Sequence, residues 1–249
     1  MRVIDVHIHN WNIFADPGKI RETIERFGID WVTTMSSLRG GTYPSVEEIR
    51  QSNDETLALM RTIPEHVIGF CYANPLFGAA MLEEVKRCWD EGMLGLKLWV
   101  ATLADDERNF PLVEAAIARN LPILVHTWKK STGNLPHEST ALNAANLARR
   151  YPEGKFIMAH ICGDWEFGLK AVRDVPNLRV DFAGTVNERG AYECAVALLG
   201  PERVVFGTDM PACYWTNYGR VKQCKFSAEV EQKIFAGNFE SMLPGPLPY

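Results

Sequence analysis

The sequence predicts an α/β protein folded as a single-domain (β/α)8 TIM barrel, and three observations lead to this prediction. Short apolar runs rich in Val, Ile and Leu alternate along the chain with stretches rich in Ala, Glu, Lys and Arg. Eight such strand–helix units in 249 residues match the size of this barrel. The first strand is followed by HNWNIF, which lacks the glycine-rich turn of a doubly wound open sheet, so that architecture is less favoured.

The predicted strands are runs of seven or eight residues bounded by polar or turn-forming segments: 3–9, 30–37, 67–73, 94–100, 122–128, 155–161, 178–184 and 203–209. Amphipathic stretches, several ending at Gly or before Pro, predict helices at 19–28, 46–63, 79–92, 111–120, 139–152, 164–175, 189–200 and 227–243. No linker, low-complexity tract or short-period repeat interrupts the sequence, which predicts one domain over residues 1–249.

Composition excludes several classes of function. The chain is 47% hydrophobic with a formal net charge of -5, which argues against a nucleic-acid-binding protein. No apolar run approaches the ~20 residues of a membrane span, and the opening residues do not resemble a signal peptide. The six cysteines form no CxxC pair, so we expect a cytoplasmic protein without a disulfide framework.

The opening strand carries a pair of histidines. In VIDVHIH, His7 and His9 are two residues apart, and alternate residues of a β-strand share a face. Two imidazoles therefore lie side by side at the end of the first strand, with Asp5 below them. Imidazole is a good zinc ligand, but this pair alone does not establish a metal site.

Further polar residues lie late in other predicted strands. Lys97 is in the fourth strand, His126 in the fifth and His160 in the sixth, and Asp209 ends the eighth. Barrel enzymes carry their active sites at this end of the strands, and burying these groups together is costly unless they share a purpose. The sequence therefore predicts a site for zinc or a related divalent ion, on which His7, His9 and His126 can converge and which Asp209 can reach from the eighth strand.

The motifs resemble the amidohydrolase superfamily, most closely the amidohydrolase-related branch that includes aminocarboxymuconate-semialdehyde decarboxylase and γ-resorcylate decarboxylase. The matching segments occur in the family's order between residues 5 and 211: DVHIH, GLKLW, LVHTW, MAHICG and VVFGTDMP. The resemblance implies a metal-dependent hydrolase barrel with one divalent ion per chain, expected to be zinc, bound by His7, His9, His126 and Asp209. It also implies that His160 stands beside the metal and acts on the bound water or on the substrate.

The number of metal ions depends on the role of Lys97, and the resemblance alone does not fix it. Two-metal members of the superfamily bridge their ions with a carboxylated lysine of the fourth strand, whereas the flanking motifs here resemble the one-metal branch. We therefore expect an unmodified Lys97 that contacts substrate or balances the charge of the site. In the branch a His-Pro pair often follows the KL of this strand, but Trp99 and Val100 follow it here.

The expected reaction is hydrolysis of an amide, ester or lactone of a small cyclic or carboxylated substrate by a metal-activated water. Asp209 would be the general base, and His160 would polarise the carbonyl or stabilise the developing oxyanion. Non-oxidative decarboxylation by a lyase of the same branch is the alternative. A TatD-type deoxyribonuclease is less favoured, because that group carries a glutamate where this chain has Lys97. A barrel that only binds a metal or small molecule is the last alternative.

Aromatic and cationic residues near the strand ends indicate the substrate. Five tryptophans lie at or just beyond strand ends: Trp11, Trp99, Trp128, Trp165 and Trp215. They suggest an aromatic wall suited to a flat ring or a sugar face. Candidate substrate contacts are Lys97, Trp99, Trp128, Arg39 and Trp11, and Lys129 or Lys130 is a further candidate for a substrate carboxylate. The expected partner is a small molecule, with neither nucleic acid nor membrane, and a homo-oligomer is left open.

Overall fold

The computed structural model describes residues 1–10, 15–36, 43–184, 188–209 and 214–247. Within these ranges the strands are β1 (Ile4–Ile8), β2 (Trp31–Thr34), β3 (Val67–Gly69), β4 (Cys71–Ala73), β5 (Leu96–Leu98), β6 (Pro122–Val125), β7 (Lys155–Met158) and β8 (Leu178–Val180). Each is shorter than the run that predicted it. The last residues of the predicted runs therefore lie beyond the strands, at the end of the barrel where the sequence predicts a site.

Helices follow these strands along the chain, except that β3 and β4 are separated by Phe70 alone. They are α1 (Pro17–Phe27), α2 (Val46–Thr62), α3 (Ala79–Asp90), α4 (Phe110–Ala118), α5 (Ala141–Arg150), α6 (Trp165–Val172), α7 (Ala191–Leu199), α8 (Tyr214–Gln223), α9 (Ala228–Gln232) and α10 (Asn238–Glu240). A π-helical turn, Lys233–Gly237, joins the last two. Helix α8 lies where the sequence predicted none, and the long helix predicted at 227–243 is divided by the π turn.

Local sequence explains where the helices begin and end. Ser45 caps α2 with a complete capping box, in which its hydroxyl accepts from the Glu48 N–H and the Glu48 carboxylate accepts from the Ser45 N–H. Helix α1 begins after Asp16 and ends at Gly28, whose φ of 65° is the left-handed conformation that glycine adopts readily. No helix in the described ranges is long and apolar enough to cross a membrane.

All the strand pairings are parallel, in the orders β1-β2-β3 and β4-β5-β6-β7-β8. The strand predicted at 67–73 is divided at Phe70 into β3 and β4. The Phe70 N–H donates to the Thr34 carbonyl of β2, whereas the Cys71 N–H donates to the Gly95 carbonyl on the side of β5. The two sheets are therefore joined along one continuous segment of chain.

The strand predicted at 203–209 is wrong as a regular strand, because only Val204 forms a ladder bridge, with Val180. Phe206 donates its N–H to the Ile234 carbonyl of the π turn instead of to a strand. Asp209 has a φ of 59°, outside the extended region. The segment still bonds on both sides, since Val205 N–H donates to Val180 and Phe206 accepts from Val6 N–H. It thereby closes the (β/α)8 barrel between β8 and β1.

A buried polar contact reinforces this closure. Asp5 of β1 accepts hydrogen bonds from both the N–H and the hydroxyl of Thr208, at 3.1 and 2.5 Å. Burial raises the pKa of Asp5 to about 7, and the bonds from Thr208 oppose that rise. The fully buried Thr33 of β2 is different, because its hydroxyl has no hydrogen-bond partner among the described residues.

These two threonines give a matched test of barrel closure. Thr208→Val keeps the side-chain shape but leaves the Asp5 carboxyl without its hydroxyl donor, so we expect the free energy of unfolding to fall by about 1–3 kcal/mol. Thr33→Val removes an unpaired buried hydroxyl, so stability should be unchanged or higher. Urea unfolding of both variants measures this. Equal losses at the two positions would contradict the proposed importance of the Asp5–Thr208 contact.

Candidate metal centre and active site

The carboxyl ends of β1 and the closing segment bring three predicted ligands together. His9 Nε2 lies 3.2 Å from Asp209 Oδ1, and His7 Nε2 lies 3.9 Å from the same oxygen. The Asp209 N–H also donates to the His7 carbonyl, which fixes the end of the closing segment against β1. These three side chains form a group whose ligand atoms all lie within 4.8 Å of one another.

The donor set fits a divalent cation. His9 Nδ1 donates to the Met35 carbonyl at 3.0 Å, so in the neutral imidazole the lone pair of Nε2 faces an oxygen of Asp209. Two acceptor atoms 3.2 Å apart repel unless a proton or a cation lies between them. Ligands about 2.0–2.2 Å from a tetrahedral zinc ion are roughly 3.3 Å from one another, close to the spacing found here.

Burial and neighbouring groups together set the charge of these side chains. Burial lowers the pKa of His7 well below its usual range, and the neighbouring Lys97 acts in the same direction. Burial alone would raise the pKa of Asp209, but the nearby imidazoles of His9, His160 and His7 outweigh it and hold the pKa well below normal. A neutral imidazole beside an ionised carboxylate is the form in which both groups bind metal.

His126, the fourth predicted ligand, is not brought into this group. Its Nε2 lies 3.0 Å from Oε1 of Glu138, a buried residue of the loop that follows β6. Glu138 also accepts from Lys130 Nζ at 2.9 Å and from the Leu135 N–H, which fixes the carboxylate in place. With Nε2–H donated to Glu138, the lone pair of neutral His126 is on Nδ1.

His160 follows β7 on a left-handed turn. Three consecutive non-glycine residues, His160, Ile161 and Cys162, have φ values of 63°, 40° and 63°. Such a run is strained and is retained only where surrounding contacts impose it. Here the Cys162 carbonyl accepts from the Lys129 N–H, and its thiol accepts from the Ala141 N–H.

The turn places His160 among the other imidazoles. Its ring centroid lies 4.9 Å from that of His7 and 5.1 Å from that of His126. Nδ1 lies 3.1 Å from the Ala183 carbonyl and is therefore assigned the proton, which leaves Nε2 as an acceptor. Burial lowers the pKa of His160 to about 3, so the ring is neutral at physiological pH.

Lys97 of β5 is buried beside the candidate ligands. Its Nζ lies 3.2 Å from His7 Nε2, so the ammonium donates to the lone pair that a metal ion would use. Burial lowers the pKa of Lys97 to about 8, and the nearby carboxylates of Asp181 and Asp209 oppose that change. Lys97 therefore lies in the site, where it balances negative charge.

Aromatic side chains form one wall of the site. The ring of Trp128 stacks on His126 with a centroid separation of 6.2 Å and lies 4.8 Å from that of His160, and Trp99 meets His126 edge-on at 6.4 Å. Trp128 also lines a cleft of about 640 Å³ together with Trp165. The cleft therefore adjoins the imidazole cluster.

The lysines predicted to hold a substrate carboxylate have carboxylate partners within the chain. Lys129 donates to Asp164 at 2.6 Å, and Lys130 donates to Glu138, so each lysine is already paired with a carboxylate. The predicted substrate contacts Arg39 and Trp11 lie outside the described residues. For Trp215, only the backbone belongs to the described structure.

Two residues of the site were missed in the sequence. Asp181 follows β8 and is fully buried against His7 and His160. It is the fourth residue of the predicted strand LRVDFAG, the position that Lys97 has in LGLKLWV, so the reasoning that selected Lys97 could have found it. Glu138 lies in the loop segment LPHEST, where a glutamate has no periodicity or spacing that indicates burial.

A (β/α)8 barrel with imidazoles and carboxylates converging at the ends of its strands is the architecture of a metal-dependent barrel enzyme. The amidohydrolase family model matches residues 4–244, nearly the whole chain. The chain therefore belongs to the amidohydrolase family, which confirms the resemblance drawn from the motifs. No match was found among curated protein sequences.

Solved structures share this fold at low sequence identity. The chain is similar to 5-carboxyvanillate decarboxylase from Sphingomonas paucimobilis, with 15% identity over 97% of this chain and 98% of that one and a TM-score of 0.77. It is similar to a dihydroxybenzoic acid decarboxylase from a Polaromonas species, solved with manganese and 2-nitroresorcinol (14% identity, 97% and 96% covered, TM-score 0.77). It is also similar to 4-oxalomesaconate hydratase from Rhodopseudomonas palustris (17% identity, 97% and 95% covered, TM-score 0.71).

The position of Lys97 gives a test of whether it binds metal or competes with it. Lys97→Met removes a buried cation next to His7 Nε2, so we expect a divalent ion to bind roughly tenfold or more tightly. Lys155→Met is the control, since Lys155 lies at the start of β7 and its Nζ donates to the Met242 carbonyl. Calorimetric titration with Zn²⁺ measures both variants. Loss of metal in Lys97→Met, or two ions per wild-type chain, would instead indicate a bridging carboxylated lysine.

Proposed function

We propose that this protein is a metal-dependent hydrolase that cleaves an amide, ester or lactone of a small cyclic or carboxylated molecule. The observation that carries the proposal is the convergence of His7 Nε2, His9 Nε2 and Asp209 Oδ1 beside the neutral ring of His160. One divalent ion, with zinc as our choice, would be held by these three groups, and His126 would complete the set through Nδ1.

A divalent ion bound there would supply Lewis acidity and lower the pKa of a water molecule that it coordinates. The chain's own residues would handle the protons. Asp209 is ionised and partly exposed, so its carboxylate can accept a proton on the substrate side. His160 Nε2 is an acceptor in the assigned tautomer, which does not fit the oxyanion-stabilising role expected from the sequence. His160 would instead take up a proton before donating one to a leaving group.

This tautomer favours hydrolysis over decarboxylation. Hydrolysis begins with removal of a proton from water, and Asp209 and His160 are both unprotonated, so each has a lone pair that could take up that proton. Decarboxylation of an aromatic acid instead requires a proton donor at the ring carbon, and neutral His160 does not donate from Nε2. Trp128 and Trp99, stacked against the imidazoles, would hold a flat substrate ring.

A non-oxidative decarboxylase is the second candidate, and two observations support it. The aromatic wall beside the ligands suits a benzoate-like ring, and two of the similar structures are decarboxylases of aromatic acids by name. A panel of lactones, amides, esters and hydroxybenzoates, with CO₂ release followed beside hydrolysis, separates the candidates. CO₂ release without hydrolysis would replace the hydrolase proposal by the lyase.

The metal site can be tested independently of substrate. We expect wild-type protein to contain about one divalent ion per chain and His7→Ala or His9→Ala to lose most of it, because each removes one of the converging ligands. His66→Ala is the control, since His66 Nδ1 meets the Asp30 carbonyl at an exposed position. Metal content is measured by mass spectrometry. Full occupancy in the double variant His7→Ala/His9→Ala would refute the site.

The function of His160 can be separated from that of the ligands. His160→Asn should retain the metal but lower kcat by roughly 10²–10⁴, the usual contribution of a positioned acid–base group. Asparagine suits the test because it tolerates the left-handed backbone found at this position.

Metal content and turnover should be measured on the same preparation of His160→Asn, with His66→Asn as the control. Loss of the metal together with activity would make His160 a ligand. Full activity with the metal retained would make it a residue of the core.

A further inference from the structure

One buried carboxylate connects the two histidines that the proposed chemistry uses. Asp181 lies just beyond β8 and is fully buried. Its Oδ2 lies 3.0 Å from His7 Nδ1, and its Oδ1 accepts from the backbone N–H groups of His160 at 2.7 Å and Ala183 at 3.0 Å. Both oxygens are thus engaged by groups of the site itself.

The partners of His7 determine which nitrogen carries its proton. Nδ1 faces Asp181, whose carboxylate accepts hydrogen bonds, and Nε2 faces the ammonium of Lys97, which donates them. The proton therefore belongs on Nδ1 and the lone pair on Nε2. Nε2 is the nitrogen that approaches the Asp209 carboxylate, at 3.9 Å.

We propose that Asp181 is a positioning residue that fixes the tautomer of His7 for metal binding and, through its second oxygen, fixes the turn that carries His160. The proposal rests on the metal-dependent function proposed above. Carboxylates that accept from the distal nitrogen of a ligand histidine orient the ring and increase its basicity. Here Asp181 also supports the strained backbone at His160. The ligand His7 and the acid–base group His160 are therefore both held in position by Asp181.

The contacts argue against two other interpretations of Asp181. His7, His160 and Asp181 also form a group within 4.8 Å that offers metal-ligand atoms. A metal ion there would compete with the three N–H groups that the Asp181 oxygens already accept, those of His7 Nδ1 and the two backbone amides. His7 would also have to bind the ion through Nδ1, the nitrogen that faces Asp181. If Asp181 only supported the backbone, hydrogen bonds from the N–H groups of His160 and Ala183 would suffice. That role does not explain why its second oxygen faces His7 Nδ1.

Asp181→Asn tests the proposal with almost no change in shape. The amide oxygen is expected to keep the two backbone donors, because the opposite orientation would set an NH₂ group against both of them. The NH₂ group then faces His7 Nδ1 and favours the tautomer with the proton on Nε2. We therefore expect the Kd for Zn²⁺ to rise about 10–100-fold in a folded protein.

The second readout is the tautomer itself. Nitrogen-15 NMR of metal-free protein should show His7 protonated on Nδ1 in the wild type and on Nε2 in Asp181→Asn. Glu84→Gln is the control, since Glu84 is another buried carboxylate and accepts from Asn53 and Arg87 on the helices α2 and α3. It should change neither the Kd nor the tautomer.

These measurements distinguish the two proposals. If the wild type binds no divalent ion, the proposed function fails, and the His7 tautomer still decides the role of Asp181. A wild-type His7 protonated on Nε2, or an unchanged Kd and tautomer in Asp181→Asn, would overturn the inference. If Asp181→Asn does not fold, the wild-type tautomer remains the deciding measurement.

Discussion

The site depends on the environment of a single imidazole, that of His7. It lies between a carboxylate, Asp181, and an ammonium, Lys97, and these three side chains come from β1, β5 and the end of β8. The contact therefore exists only once the barrel has closed. Closure in turn relies on the segment after β8, whose Asp209 N–H bonds to the His7 carbonyl and whose Thr208 bonds to Asp5. Fold and site are thus stabilised by the same few contacts.

The backbone strain is concentrated at the same place. His160, Ile161, Cys162 and Asp209 all have positive φ, a conformation that costs non-glycine residues free energy. The left-handed turn is held because its N–H and carbonyl groups have buried partners, among them Asp181 and the Lys129 N–H. A regular strand would carry the side chains onward along alternate faces. The turn instead directs His160 toward His7 and His126.

Much of this arrangement was predictable, and the exceptions have physical causes. Alternating apolar and amphipathic runs predicted the barrel, and polar residues late in apolar strands predicted the location of the site. The irregular closing segment was not predictable, because its Phe206 N–H bonds to the π turn of the C-terminal region, a long-range contact. Likewise, no local pattern indicates that Glu138 is buried against His126 or that α8 forms. The predicted ligand set and catalytic residues remain predictions.

Charge explains why a cation suits this site. Two buried or partly buried carboxylates, Asp181 and Asp209, face one ammonium, Lys97, while burial keeps His7 and His160 neutral. Glu138 and Lys130 neutralise each other at the edge. The centre therefore carries an excess of negative charge, which is costly at low dielectric. A divalent ion held by His7 and Asp209 would offset that excess, as the Lys97 ammonium does in part. The cation and the ammonium would therefore compete for the same negative charge, and His7 Nε2 is the atom that both would approach.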